Sequence, residues 1–311
     1  MDPMKPPSQI LLWSQGRTAC HLLERMLSKQ HSLHYLPGIG HPYAPARPSQ
    51  IPCLQEESIA AGIPDGLRTR FSDAVAVGTQ HWRDQLEQAQ SQNKALFLHE
   101  HPHFALDPDL ALSFVLEDWN RGPIVPARNY TMIPEDLMLL PGTLPIFTIR
   151  HPALIVPSAY RAMDEFEGSA NRSNLVVAST LNWARELYDW YLAKGFKPLV
   201  AEAEDYMTNP EMVKNLAKKA GLDPEQCIFQ WPAATKEEQD KMLPRYVQLQ
   251  QSLLNSTGLL QGKDRRNVVI EDEMRKWRVE FGEQNAIFVK ELVDASMPHY
   301  EYLKSRKTTE E

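Results

Sequence analysis

Three histidines alternate along one short stretch of the chain, at His99, His101 and His103. On an extended backbone alternate side chains share a face, so these imidazoles can converge on one point. Three interpretations follow: a zinc-type metal site, a general base with a pKa of about 6.5, or a polar loop with surface histidines. Against the metal, Pro102 bends the chain and no evident carboxylate or cysteine completes the ligand set. We therefore expect no bound metal.

A glycine, an arginine and a threonine lie where an apolar run turns into an amphipathic one, at Gly16, Arg17 and Thr18. No acidic residue occurs between positions 14 and 21, although the formal net charge of the chain is −7. A helix N-terminus attracts anions, and a guanidinium beside it favours phosphate. The turn therefore predicts a phosphate site, without the GxxxxGK[ST] pattern of nucleotide-binding loops. The alternative is a polar connection in which Thr18 is the helix N-cap.

An arginine, a proline and a serine follow a second apolar run, at Arg150, Pro152 and Ser158. An arginine at the carboxyl end of a strand can bind an anion through two parallel N–H donors. A hydroxyl about two helical turns further along can add a third donor. The alternative is a salt bridge for Arg150 and a solvated Ser158.

These side chains must be positioned by an α/β scaffold. Apolar runs predict four strands, over residues 8–14, 95–98, 144–149 and 197–201. Amphipathic spacing predicts helices over residues 18–29, 79–92, 173–194 and 209–220, and a charged helical part after Trp231. Short strands separated by helices indicate a three-layer fold, with a mostly parallel sheet and helices on both faces. Ligands of such sheets bind at the carboxyl ends of the strands, so we expect the turns at 14–21, 98–104 and 150–158 to form the site.

Composition narrows the class of protein. The 311 residues are 42% hydrophobic and 23% charged, which is ordinary for a globular domain. A net negative charge argues against nucleic acid as the main partner. The only cysteines, Cys20, Cys53 and Cys227, are too scattered for a disulfide framework. No run approaches the roughly 20 apolar residues of a membrane span, and the N-terminus does not read as a signal peptide. We expect a cytoplasmic protein that does not enter membranes.

Together the two turns resemble the phosphate-binding segments of PAPS-dependent sulfotransferases, where PAPS is 3′-phosphoadenosine 5′-phosphosulfate. In that family a P-K-[ST]-G-[ST]-[ST] turn binds the 5′-phosphosulfate, and an R-x-P segment with a serine eight residues after the arginine binds the 3′-phosphate. The second motif matches at Arg150, Pro152 and Ser158. The first matches with departures, as Gly16-Arg17-Thr18-Ala19-Cys20-His21.

The resemblance extends over most of the chain. Residues 198–210 resemble the family's strand and acidic E-D turn, and residues 277–303 resemble its final helix. It implies one domain over 1–311 with a P-loop NTPase-like fold and a helical C-terminal extension from about 236. Residues from about 37 to 90 match nothing in the family, and we interpret them as a variable insertion on the substrate side.

The resemblance also implies roles for the histidines and the turns. The family's base follows the second strand in a K-x-H-type segment, so His101 is the candidate base. His99 stands where many members have lysine. A neutral His99 would supply less positive charge, so that either Arg17 compensates or transfer is weak. PAPS is then the co-substrate, bound by residues 16–21 together with Arg150 and Ser158, and no metal is required.

The acceptor is expected to be a small aromatic or polycyclic alcohol, since the motifs look most like the microbial and fungal small-molecule branch. Tryptophans and tyrosines are candidates for its pocket, although aromatic residues at helical spacing are more often core. The tryptophans considered are Trp13, Trp82, Trp119, Trp183 and Trp190.

Other functions stay open. A divergent member could bind PAP or a metabolite and catalyse cyclisation, dehydration or nothing. A kinase is disfavoured by the missing Walker lysine. A homodimer is left open.

Overall fold

The sheet is built from five strands whose apolar residues are mostly buried. The computed structural model describes residues 7–35, 41–117, 119, 127–167, 172–242, 244–259 and 265–309. The strands are β1 (Gln9–Ser14), β2 (Leu33–His34), β3 (Ala95–Glu100), β4 (Thr143–Ile149) and β5 (Leu199–Glu202). All six residues of β1 are buried, which is typical of a strand covered on both faces.

The strands are all parallel and are ordered β2-β3-β1-β4-β5. Four of them match the predicted strands to within two residues at each end; β2, which has only two residues, was not predicted. The three central strands, β3, β1 and β4, are those followed by the predicted site turns. Because parallel strands end at one edge of the sheet, this order brings the three turns together.

Helices surround the sheet. In the first half they are α1 (Cys20–Leu27), α2 (Arg47–Gln50), α3 (Glu56–Ala61), α4 (Asp65–Ser91), α5 (Pro108–Glu117), α6 (Glu135–Met138) and α7 (Pro152–Glu167). In the second half they are α8 (Arg172–Ser179), α9 (Asn182–Ala193), α10 (Ala203–Tyr206), α11 (Pro210–Lys219), α12 (Lys236–Asp240), α13 (Pro244–Leu254), α14 (Ile270–Phe281) and α15 (Glu283–Lys304). Short 3₁₀ turns occur at Ala44–Ala46, Ile51–Leu54, Pro102–Ala105 and Pro224–Gln226.

Two hydrophobic cores lie on opposite faces of the sheet. In β1, Leu11 and Trp13 belong to one core, which includes buried residues of α4, α7, α9 and α15. The alternate residues Ile10 and Leu12 belong to the other, with α1 and α11. This alternation is the period of a strand covered on both sides. The predicted α/β fold with helices on both faces is therefore confirmed.

Two predicted helices are each divided. The helix predicted over 173–194 is interrupted at Thr180, whose hydroxyl accepts a hydrogen bond from the N–H of Asn182 at 3.1 Å, and the N–H of Leu181 donates to the Ser296 hydroxyl at 3.0 Å. Side chains thus replace the helical partners there. The final helix over 277–303 is broken at Gly282, whose φ of 78° lies in the left-handed region.

The segment that follows the last helix is bound to the edge of the sheet. Beyond α15, the N–H of Thr308 donates to the carbonyl of Val200 at 2.9 Å, which covers the open edge of β5. The five prolines and two glycines of residues 37–52 predict an irregular segment. Its described part instead forms a succession of short helical turns from Ala44 to Leu54, because a proline near the start of each turn presets its backbone angle. No helix within the described residues is long and apolar enough to cross a membrane.

Candidate active site

The first and third turns are in direct contact. The Nε of Arg17 donates to the Oγ of Ser158 at 2.9 Å, and a guanidinium nitrogen of Arg150 lies 3.4 Å from the carbonyl oxygen of Arg17. Two segments more than 130 residues apart in sequence therefore meet at the carboxyl end of the sheet. The structure thus brings together Arg17, Arg150 and Ser158.

The first turn has an unusual backbone. Arg17 has a φ of 70° and Ala19 a φ of 56°, so two residues other than glycine adopt the left-handed region, which costs conformational energy. Ala19 is the N-cap and α1 begins at Cys20, with no acidic residue in its first turn. The helix thus starts two residues later than predicted, and its N-terminus opens beside Arg17, as an anion site requires.

Thr18 has a different place from the one predicted. Its side chain is fully buried, and its hydroxyl donates to the carbonyl of Gln15 at 2.7 Å and lies 2.8 Å from the hydroxyl of Thr148. It does not cap α1 through its side chain. Because this hydroxyl fixes the turn against β4, Thr18 orders the loop instead of facing a ligand.

Arginines line a cavity of about 510 Å³ at this edge of the sheet. Its wall includes Ala19, Cys20, His21 and Ser158, and four arginines contribute to it: Arg17, Arg150, Arg161 and Arg265. Burial lowers the pKa of Arg17, and the charges of Arg150 and Arg161 lower it further. Such a concentration of guanidinium groups in a chain of negative net charge favours an anionic ligand.

Three of these arginines also have carboxylate partners. Arg150 donates to Glu204 at 2.9 Å, so the salt bridge considered as an alternative for Arg150 is present. Arg161 pairs with Glu280 at 2.7 Å, and Arg265 pairs with Glu273 at 2.9 Å. Ser158 is not simply solvated, since it accepts from Arg17. These carboxylates hold the three guanidinium groups in place while the arginines still line the cavity.

A second cavity, of about 750 Å³, lies on the other side of Arg17. Gly16, Arg17 and Leu249 belong to its wall, and Arg17 and Leu249 also belong to the wall of the first. Much of its lining is apolar, including Ala44, Pro45, Pro48, Val77, Phe104 and Met163. Size and apolar lining are those of a pocket for a small organic molecule.

The predicted tryptophans do not form this pocket. Trp13, Trp82, Trp183 and Trp190 are all buried in the first core, and Trp119 packs against it. The interpretation of these aromatic residues as core is the one the structure supports. The larger side chains that line this cavity include those of Phe104, Met163 and Tyr246 instead.

Histidines converge at the junction of the cavities. His101 and His103 line the larger cavity, and their rings stack with centroids 5.7 Å apart. His41 stacks on His101 at 4.0 Å, and His21 contacts His99 at 4.9 Å. The cluster therefore has five imidazoles, of which sequence reasoning on the alternating pattern found three.

His101 is held by the end of β1. Its Nδ1 lies 2.8 Å from the carbonyl oxygen of Ser14 and 2.8 Å from the Ser14 hydroxyl. A carbonyl oxygen only accepts, so Nδ1 carries the proton and Nε2 carries the lone pair when the ring is neutral. Burial, and then the charge of His99, hold the pKa of His101 well below its ordinary value.

His99 lies on the other side of Ser14. Its Nε2 is 2.7 Å from the Ser14 hydroxyl and its Nδ1 is 2.9 Å from a carboxylate oxygen of Glu24, which also contacts Nδ1 of His21 at 2.8 Å. It contributes to the wall of neither large cavity. His99 thus belongs to the histidine cluster but lines neither of the two cavities.

The charges around His99 are strongly coupled. Burial opposes its protonation, but the charges of Glu24 and Cys20 raise the pKa of His99 to about 10. Burial likewise opposes ionisation of Cys20, yet His99 and His21 lower the pKa of that thiol to about 6. The alternating histidines by themselves give no indication of Glu24 or Cys20, whose charges raise this pKa.

The expectation from the sequence that no evident carboxylate or cysteine completes the histidine set is wrong. Cys20 and Glu24 come from α1, next to β3 in space but 75 or more residues away in sequence. The spacing of His21 and Glu24, three residues apart on a helix, is a signal that the sequence offered. His41 lies among prolines, where no periodicity indicated its position.

The comparisons with known proteins identify the class. The chain is 34% identical over 253 residues to a protein from Metarhizium majus (strain ARSEF 297) named Sulfotransferase ppzF, covering 73% of each. It is 30% identical over 331 aligned positions to Sulfotransferase ppzF of Metarhizium rileyi (strain RCEF 4871), covering 97% of this chain and 96% of that one. The chain belongs to the sulfotransferase family.

Other comparisons add little. No family model matches. The sulfotransferase domain from the Synechococcus PCC 7002 olefin synthase has a TM-score of 0.40 and 14% identity, over 91% of this chain and 98% of that one. The sulfotransferase domain from the curacin biosynthetic pathway has a TM-score of 0.39 and 13% identity, over 81% and 99%. Scores this low carry no argument here.

Proposed function

We propose that the protein transfers a sulfuryl group from PAPS to a hydroxyl of a small, mainly apolar metabolite, with His101 as the base. The observation that carries the proposal is that an arginine-lined cavity and an apolar one meet at Arg17, with His101 on the wall of the apolar one. A donor anion and an apolar alcohol can then approach each other at that residue.

The arginine-lined cavity supplies the donor site. The resemblance assigns the 5′-phosphosulfate to residues 16–21 and the 3′-phosphate to Arg150 with Ser158. The bond between Arg17 and Ser158 places both segments on one cavity. Arg17 can therefore stabilise negative charge that develops on the bridging oxygen. Arginines and a helix N-terminus supply the positive potential, so the transfer itself requires no metal.

The step at sulfur is an in-line displacement. The acceptor oxygen forms a bond to sulfur while the bond from sulfur to the 5′-phosphate oxygen breaks, and PAP leaves with that electron pair. The acceptor proton passes to Nε2 of His101, because Nδ1 already carries a proton and donates it in a hydrogen bond to the Ser14 carbonyl. His99 contacts the same Ser14 hydroxyl as His101, so we assign it a positioning role.

The test is a comparison of His101→Ala with the wild-type protein. We expect turnover to fall about 100-fold or more, because general base catalysis contributes that much, while PAP affinity is retained. Transfer of radiolabelled sulfate from PAPS, with 2-naphthol as the first acceptor probe, and calorimetry with PAP measure the two quantities. His31→Ala, at an exposed histidine, is the matched control. Unchanged turnover in His101→Ala would exclude the base role.

A second function has one specific observation in its favour. The hydroxyl of Thr18 makes its hydrogen bonds within the protein, to Gln15 and Thr148. Ala19 and Cys20 replace the glycine and the hydroxyl residue of the family motif. These departures favour a PAP- or metabolite-binding relative that catalyses another biosynthetic step, such as cyclisation or dehydration. PAP binding without any sulfate transfer across a panel of phenols and polycyclic alcohols would select this function.

A further inference from the structure

Three potential metal ligands from two separate elements meet beside the proposed base. The Sγ of Cys20 and a ring nitrogen each of His99 and His101 lie within 4.8 Å of one another, and all three residues are buried. Cys20 opens α1, whereas the histidines come from the end of β3 and the residue after it. Bonds of about 2.0 to 2.3 Å to one ion require these three side chains to move closer together.

In each histidine, Nδ1 already contacts an oxygen of a neighbouring residue, which fixes the ring. Nδ1 of His99 contacts the Glu24 carboxylate at 2.9 Å, and Nδ1 of His101 contacts the Ser14 carbonyl at 2.8 Å. Histidines that bind metals commonly donate one ring N–H to a carboxylate or a carbonyl, which leaves the other nitrogen for the ion. Nε2 is thus left for the ion in both rings. Nε2 of His99 must first release its proton and the Ser14 hydroxyl, and the ring of His101, whose Nδ1 lies beside that same hydroxyl, must turn to bring its Nε2 to the ion.

The donor set selects a class of ion. One thiolate with two imidazoles suits zinc and cobalt and does not suit magnesium or calcium, which prefer oxygen ligands. His101 lines the 750 Å³ cavity, so a fourth position can open toward it. His21 and His41 form a second set with His99 by the same spacing, which places further imidazoles beside the ion.

We propose that Cys20, His99 and His101 form a site for a zinc-type divalent cation, and that a cation bound there blocks sulfuryl transfer. The cation takes the lone pair on Nε2 of His101 that the base needs, so the ion and the acceptor proton compete for one atom. The block rests on the proposed function, whereas the binding of the cation does not.

Cobalt(II) tests the binding directly. The chelator-treated full-length protein is titrated with Co²⁺ alone while visible ligand-field bands and near-ultraviolet thiolate-to-cobalt absorption are recorded. We expect saturation at one equivalent, displacement by Zn²⁺, and loss of the thiolate band in Cys20→Ser but not in Cys53→Ser, which alters another buried cysteine. Glu24→Gln is expected to weaken binding about 10- to 100-fold, as the loss of an orienting carboxylate does.

The outcomes that overturn the site are specific. A missing thiolate band, or one that persists in Cys20→Ser, excludes Cys20 as a ligand. Should Cys20→Ser fail to fold, as judged by circular dichroism, X-ray absorption of the zinc-loaded wild-type protein decides instead. A shell with one sulfur and at least two nitrogens supports the proposal, and a shell without sulfur overturns it.

The block is tested separately. In the sulfate-transfer assay, Zn²⁺ at concentrations that saturate the cobalt-competition curve is expected to lower turnover at least tenfold, and chelator is expected to restore it. Undiminished transfer at saturating Zn²⁺ overturns the block while the binding stands. No transfer under any condition overturns the proposed function, and the cobalt spectrum still decides whether the cation binds.

Discussion

The two cavities that meet at Arg17 differ in how the chain builds them. The arginine-lined cavity is formed mainly by the first and third turns and by α7 and α13, and its main residues are readable as motifs. The apolar cavity draws on residues 41–48, on the middle of α4 and on α7 and α8. The comparison teaches that a charged ligand is recognised by a few fixed donors, whereas an apolar one is recognised by a shape that many segments share.

The largest effect is expected at Arg17, the charged one of the two residues that both cavities share. Arg17→Met keeps the side-chain stem but removes the charge and the donor to Ser158. We expect turnover to fall about 100- to 1000-fold, as when one donor to a developing charge is lost, and PAP affinity to fall as well. Sulfate transfer and PAP calorimetry measure these. Arg83→Met, at an exposed arginine paired with Asp136, is the control; an unaffected PAP affinity in Arg17→Met would contradict the shared role.

A second change addresses the apolar cavity alone. A Cβ at Gly78 would lie 2.7 Å from the carbonyl oxygen of Pro42 and 2.9 Å from Tyr43, so α4 must move away from this segment. For Gly78→Ala we expect a loss of about 1 to 3 kcal/mol in the free energy of unfolding and a higher KM for the acceptor, with PAP affinity unchanged.

The control for that change lies in the same helix. A Cβ at Gly66 meets only the end of the Arg70 side chain, at 4.0 Å. Gly66→Ala is therefore expected to alter the free energy of unfolding by less than about 1 kcal/mol. Urea denaturation of both variants measures the difference. Equal stabilities would show that the contact between α4 and Pro42 does not constrain the wall.

A third change addresses the arginine-lined cavity alone. Ser158→Ala removes the hydroxyl that accepts from Nε of Arg17, which we expect to weaken PAP binding several-fold, or by about 1 kcal/mol. The acceptor KM should stay the same. Calorimetry with PAP and acceptor saturation curves give both values, and Ser91→Ala in the exposed end of α4 is the control. A shift in acceptor KM alone would reverse the assignment of the two cavities.

The smallest effect on sulfate transfer is expected at a histidine outside both cavities. Burial, and then the charge of Arg185, lower the pKa of His299 to about 4. The unfolded chain thus binds a proton below about pH 6.5 that the folded chain does not, so folding stability falls as pH falls from about 6.5 toward 4. The slope from this residue is at most about 1.4 kcal/mol per pH unit.

His299→Leu removes that proton and should flatten this part of the pH dependence of the free energy of unfolding. Urea denaturation at pH 5 and pH 7 measures it for both proteins. An identical slope in the variant would mean that His299 is not the group responsible. Knowing this contribution separates acid unfolding from any effect of pH on the two cavities.

Local patterns were sufficient for the scaffold and for the charged cavity. The buried runs of β1, β3, β4 and β5 were visible because each apolar segment is continuous, and the spacing of Arg150 and Ser158 lies within one strand, turn and helix. Helix ends were less visible, since the breaks at Thr180 and Gly282 depend on side-chain partners and on a left-handed glycine.

What the sequence by itself determined is the parallel α/β fold, the family and the pair of turns that carry Arg17, Arg150 and Ser158. Residue type and short-range spacing encode these features, because they arise within single elements. Only the tertiary structure decided that Thr18 faces inward and that Cys20 and Glu24 join the histidines. Contacts of that kind form between elements distant in sequence, where the packing of the whole sheet, and no local preference, sets which side chains meet.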